Sequence, residues 1–210
     1  MTLPPHGGAQ LFRAGATGSA ARGRLIMVHG RGATADAIVS LAAPLRVLDQ
    51  WSIVAPQAAG NTWYPYSFLA PIAQNEPGIT SAIALLESLV AAALQEGFRA
   101  DQVAILGFSQ GACLTLEFVA RHPRRYAAVI GYSGGLIGPP GTPRDYAGSL
   151  DGTPVFLGCS DVDSHIPAER VRETADVLTR MGASVDMRLY PGMPHTVNDE
   201  EISVGRELLA

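Results

Sequence analysis

Lysine is absent from this chain: all fifteen basic residues are arginine. Without lysine there is no P-loop phosphate clamp, no Schiff-base nucleophile and no pyridoxal anchor. Cysteine is scarce. Cys113 and Cys159 are too few and too far apart for a disulfide framework or a zinc site. Cys113 reads as a small core residue. Long apolar runs are missing too, and none approaches the ~18 residues of a membrane span. The net charge is −4 and no basic stripe occurs, so a nucleic-acid partner is not expected. The start, Met1 to Gly8, has neither a basic region nor an apolar one, so the expected compartment is the cytoplasm. No repeat or low-complexity segment interrupts the chain.

What is present suits one sizeable core. With 210 residues and 47% hydrophobic content, a single domain over 1–210 is expected. The chain is organised around Val103 to Arg121, whose centre is Gly107-Phe108-Ser109-Gln110-Gly111. An apolar run, Val103 to Leu106, precedes this G-x-S-x-G motif and reads as a buried strand. An apolar segment follows and ends at His122-Pro123, where proline stops a helix. A serine between strand and helix sits on a sharp turn, and the helix N-terminus points N–H groups at charge forming beside it. The bland reading is a glycine-bounded turn that happens to contain serine.

Further strands are expected at Leu11–Ala14 (a short edge), Arg24–Val28, Ser52–Ala55, Ala127–Gly131, Val155–Gly158 and Val185–Tyr190. Helices are expected at Ala35–Arg46, at Ile79–Ala93 closed by Gly97, at Ala168–Met181, and from Asp199 onward. Alternating strands and helices predict a mostly parallel sheet covered on both faces. The long stretch 57–78 is rich in aromatics, which argues against disorder. Trp63 and Tyr64 are expected to wall a substrate pocket, with Leu136 and Ile137 as a further wall.

Ser109, Asp163 and His195 each follow a strand, in the order Ser…Asp…His. In a parallel sheet those loops share the carboxyl edge, where distant residues converge. Ser109 is then the nucleophile, His195 its base, and Asp163 the carboxylate that orients the imidazole. Backbone N–H groups of Arg31, in His29-Gly30-Arg31-Gly32, and of Gln110 are candidates for the oxyanion hole, while the Arg31 side chain is expected to face solvent or an anionic substrate. A glycine turn serving geometry alone remains the other reading of residues 29–32. Two rival assignments stay open: Asp161, Asp163 and His165 alternate as metal ligands would, and His165 could replace His195 as base. His6 and His122 read as surface or capping residues.

These motifs together resemble the phospholipase/carboxylesterase family, the small α/β hydrolases that include acyl-protein thioesterases. The matching residues are His29-Gly30-Arg31-Gly32, Gly107 to Gly111, Asp163 with Ile166-Pro167, and Gly192-Met193-Pro194-His195. The resemblance covers roughly residues 22 to 209. It implies an α/β-hydrolase fold, compact and without a large cap, that hydrolyses carboxylic esters or thioesters of small molecules with no cofactor and no metal. Many relatives carry His-Gly where this chain has Cys159-Ser160. The stretch from Trp63 to Glu76 is not the long acyl-binding loop of acyl-protein thioesterases, so a lipidated-protein substrate is not implied. Dienelactone hydrolases, more distant relatives, carry cysteine at the place of Ser109, and their activity is not expected. A different class of reading, a slow-turnover ligand receptor on the same scaffold, lacks a helical insertion that could sense the ligand. The oligomeric state is left open, with a homodimer as one option.

Overall fold

Aliphatic runs bounded by glycine or proline form the strands, and their side chains divide between two cores. The computed structural model describes residues 3–210. Their strands are β1 (Leu11–Gly15), β2 (Gly23–Val28), β3 (Trp51–Pro56), β4 (Val103–Phe108), β5 (Ala128–Tyr132), β6 (Pro154–Ser160) and β7 (Ser184–Tyr190). They make one sheet in the order β1-β3-β2-β4-β5-β6-β7. Only β1 runs antiparallel to its neighbour; every other pairing is parallel.

The helices are α1 (Ala35–Val39), α2 (Ala42–Leu45), α3 (Gly78–Gln95), α4 (Gln110–Arg121), α5 (Ala168–Arg180) and α6 (Asp199–Leu208). The two-residue period of a strand decides which core each side chain joins. Ile26, Val28, Val103 and Ile105 pack with α3, α4 and α5. Leu25, Met27, Ala104 and Leu106 pack with α1, α2 and α6 on the other face. Each of the valine, leucine, isoleucine and methionine side chains among these, fully buried, contributes about 1.5–3 kcal/mol. Burial on both faces also explains why β2, β4 and β5 are nearly continuous apolar runs. The result is the α/β-hydrolase arrangement, with no long helical insertion above the sheet among the described residues.

The expected helix over 35–46 is two short ones. Pro44 has no N–H to return to the carbonyl of Ser40, so a continuous helix cannot form there. Arg46 then ends α2 in the left-handed region at φ 58°. Helix α3 is long and apolar enough to cross a membrane by length and composition alone. Its Ile79, Leu86, Val90 and Ala93 are instead spent on the core. Helix α6 starts with a reciprocal cap: Asn198 Oδ1 accepts the Glu201 N–H and Glu201 Oε2 accepts the Asn198 N–H, each at 2.8 Å.

Candidate active site

Ser109 follows the last residue of β4 and is the N-cap of α4. It sits at φ 55°, ψ −120°, a conformation that costs an L-residue about 1–3 kcal/mol. The neighbours enforce it. The Ser109 N–H donates to Tyr132 O at 2.9 Å, and Ser109 O accepts the Cys113 N–H at 3.0 Å. Gly111 lets the helix start press on β2, since a Cβ there would lie 2.2 Å from Val28 O. The turn therefore lifts the hydroxyl above the sheet edge.

Asp163, from the loop after β6, and His195, from the loop after β7, meet it there. His195 Nε2 lies 2.8 Å from Ser109 Oγ, and His195 Nδ1 lies 2.6 Å from Asp163 Oδ2. The Asp163 side chain is fully buried, whereas the imidazole is 19% exposed. Burial alone would raise the Asp163 carboxyl, but hydrogen bonds from His195, His165 N–H and Ile166 N–H outweigh it, and its pKa falls below the usual value. Asp163 is thus held as a carboxylate, and Nδ1 must carry the proton that faces it. That leaves Nε2 as acceptor for the serine hydroxyl. Phe108 packs against the His195 ring at 5.1 Å between centroids.

The loop after β2 is fixed by histidine and tryptophan. His29 Nδ1 donates to Gly30 O at 2.8 Å, and Nε2 accepts the Ala58 N–H at 3.1 Å. Burial lowers the His29 pKa, in keeping with that neutral tautomer. The Gly32 N–H donates to Asn61 O at 2.7 Å, locking the backbone on which Arg31 is presented. Gln110 opens α4, and an N–H at that position has no acceptor within the helix. Both residues border the same cleft as Ser109.

That cleft holds about 430 Å³ and is walled by Arg31, Tyr64, Pro65, Tyr66, Phe68, Phe108 and Ile166, with Ser109, His165 and His195. Of the four side chains expected to wall it, only Tyr64 does. Trp63 is fully buried beside the cleft: its Nε1–H donates to His29 O at 2.8 Å and its ring packs on His6 and His29. A large apolar indole with one donor gains more from that enclosed acceptor than from solvent. Leu136 and Ile137 are also fully buried, tied by their N–H groups to Thr174 Oγ1 and Glu117 Oε2. The walls come instead from Pro65, Tyr66 and Phe68 of the same aromatic stretch.

His165 borders the cleft and stands edge-on to His195 at 4.8 Å, but the His165 group that meets Asp163 is its backbone N–H. Asp161 turns elsewhere, its Oδ1 accepting the Gly192 N–H at 2.8 Å and tying the His195 loop to the Asp163 loop. The three alternating side chains therefore face different partners. His6, expected at the surface, is 1% exposed and bridges Trp63 O and the Ala59 N–H. His122 is the C-cap residue of α4, stacked on Phe118.

Three side-chain contacts at the site were not visible in the sequence. The Gln110 side chain clamps the aromatic stretch, accepting from Trp63 N–H and Thr62 Oγ1–H and donating to Tyr64 O. Cys159 Sγ lies 3.7 Å from Asp163 Oδ2. Burial, with the Asp163 charge beside it, pushes this thiol up to about 12, so it stays a weak S–H donor to the carboxylate. Arg31, expected to face solvent or substrate, donates from its terminal nitrogens to Pro65 O and Tyr66 O at 2.7 and 2.6 Å.

Comparison with known proteins gives the family and the fold. The family model for phospholipase/carboxylesterase matches residues 13–209. A solved phospholipase/carboxylesterase from Dyadobacter fermentans DSM 18053 is 42% identical, superposes with a TM-score of 0.93, and is covered over 99% of its length by 100% of this chain. A probable carboxylesterase of Oryza sativa subsp. japonica is 25% identical over 95% of this chain and 82% of its own length. Acyl-protein thioesterase 1 of Yarrowia lipolytica is 27% identical over 68% of this chain and 64% of its own length. The chain belongs to the phospholipase/carboxylesterase family of α/β hydrolases and is an ester-hydrolysing enzyme.

Proposed function

We propose that the enzyme hydrolyses carboxylic esters, or thioesters, of small or medium acyl substrates through an acyl-enzyme on Ser109. The observation that carries this reading is the relay of 2.8 and 2.6 Å from Ser109 through His195 to Asp163. Ser109 Oγ attacks the acyl carbon while His195 Nε2 takes its proton, and the buried Asp163 carboxylate balances the imidazolium. The N–H groups of Arg31 and Gln110 receive the negative oxygen of the tetrahedral intermediate. Collapse expels the alcohol or thiol, which leaves with the proton from His195. Water then repeats the sequence and frees the acid. Tyr64, Phe68, Phe108 and Ile166 supply apolar surface for the substrate. A slow-turnover receptor would keep the same relay; what favours turnover over that reading is that no long helical insertion stands above the sheet among the described residues.

A panel of p-nitrophenyl esters of increasing acyl length tests this. The expected result is turnover of short and medium chains, with kcat/KM declining once the chain outgrows a cleft of about 430 Å³. Absence of turnover on every ester and thioester offered to folded protein would overturn the reading.

A further inference from the structure

The cleft beside Ser109 carries one full charge. Its walls include Arg31 and contain no aspartate or glutamate side chain, although the chain as a whole is acidic, at −4. The Arg31 guanidinium is not a loose surface group. It is pinned by the carbonyls of Pro65 and Tyr66 and lies 6.0 Å over the Tyr64 ring. A guanidinium has five N–H donors. The two carbonyls occupy one on each terminal nitrogen, which leaves the second N–H on each, together with Nε–H. The helix α4 starts at the same cleft, and the positive end of its dipole adds to the field there. A fixed cation with spare donors, next to a helix N-terminus and with no carboxylate in the walls, is arranged for an anion. A single arginine matches a single negative charge, as on a carboxylate.

We propose that the substrates are esters bearing a carboxylate remote from the scissile bond, and that the Arg31 side chain is the specificity-determining contact for it. This rests on the esterase reading above and names the substrate class of the same site. The Arg31 backbone N–H and its side chain then have separate tasks, one at the oxyanion and one at the substrate's far charge.

The test compares three esters on purified protein: neutral ethyl hexanoate, monoethyl adipate with the charge on the acyl side, and the hexanoyl ester of 4-hydroxybutanoic acid with it on the alcohol side. Turnover of ethyl hexanoate tests the esterase reading by itself. The expected result is that one charged ester exceeds ethyl hexanoate about tenfold in kcat/KM, the low end for a hydrogen bond to a charged group because Arg31 is exposed. That ratio should collapse toward one in Arg31→Gln and be kept only in part in Arg31→Lys, which retains the charge but not the planar fork that the two carbonyls fix. It should also shrink in wild type at about 1 M salt, where charges are screened beyond ~3 Å. If Arg31→Gln fails to fold, the wild-type ratio and its salt dependence still decide. Equal or slower turnover of both charged esters in wild type, or a preference that survives Arg31→Gln, would overturn the proposal while leaving the esterase reading intact.

Discussion

Glu201→Gln perturbs a carboxylate that the fold has enclosed. Glu201 is 0% exposed, its Oε2 accepts the Asn198 N–H, and its Oε1 has no partner. The space for Oε1 exists because β6 carries Gly158, where a Cβ would lie 2.2 Å away. Burial, reinforced by the Glu200 charge and only partly offset by the Asn198 hydrogen bond, raises the carboxyl from 4.5 to about 7. Between those values the folded protein binds a proton that the unfolded chain has lost. Stability from this group is therefore present in full below about pH 4.5 and is lost as the pH rises to about 7. At ~1.36 kcal/mol per pH unit, the loss is at most about 3 kcal/mol. Glutamine keeps an oxygen for the Asn198 N–H and never ionises, but it buries an amide whose N–H groups lack partners, at about 1–3 kcal/mol. Urea unfolding of both proteins from about pH 5 to about pH 8 should thus show the difference moving toward the variant by up to ~3 kcal/mol. The buried His6 and His29, whose pKa values burial lowers, titrate with opposite sign in the same range, but they cancel in the difference. A difference between the two proteins that stays flat with pH would show that Glu201 holds no extra proton in the folded protein.

Gly111→Ala should cost more than about 2 kcal/mol in thermal or urea unfolding, because its Cβ would meet backbone rather than a movable side chain, at 2.2 Å from Val28 O and 2.5 Å from His29 O. Gln110→Ala keeps the backbone amide but removes three side-chain hydrogen bonds, so a loss of about 2–3 kcal/mol and faster amide exchange across 57–77 are expected; unchanged exchange there would show that the clamp does nothing. His165→Ala should keep turnover within about tenfold and change mainly KM, whereas His195→Ala should lose on the order of 10⁴ in kcat. The reverse pattern in an ester assay would reassign the base.

How much could be read beforehand depended on whether the deciding contact was local. Ser109 was legible because strand, glycine turn and helix lie within twenty residues and the turn geometry follows from the glycines themselves. Asp163 and His195 were legible because parallel strands must deliver their loops to one edge. The pocket walls were not. Trp63 and Phe68 look alike as aromatics of one stretch, and only the carbonyl of His29, far off in sequence, draws the indole inward. Leu136 and Ile137 follow β5 on the functional edge, yet Thr174 and Glu117, at sequence separations of 38 and 20, hold them in the core. Pro44 was visible in the sequence, but it lies inside α2, and that a second short helix forms around it by packing on α6 is a tertiary outcome.

Whether Ser109 is the nucleophile is tested most directly by covalent labelling with a fluorophosphonate followed by peptide mass spectrometry. One label per chain is expected, on the peptide containing Ser109, with loss of esterase activity in proportion. Ser109→Ala should fold, take no label and lose on the order of 10⁴–10⁶ in turnover. Stoichiometric labelling of another serine, or an active and still labelled Ser109→Ala protein, would show that the nucleophile lies elsewhere.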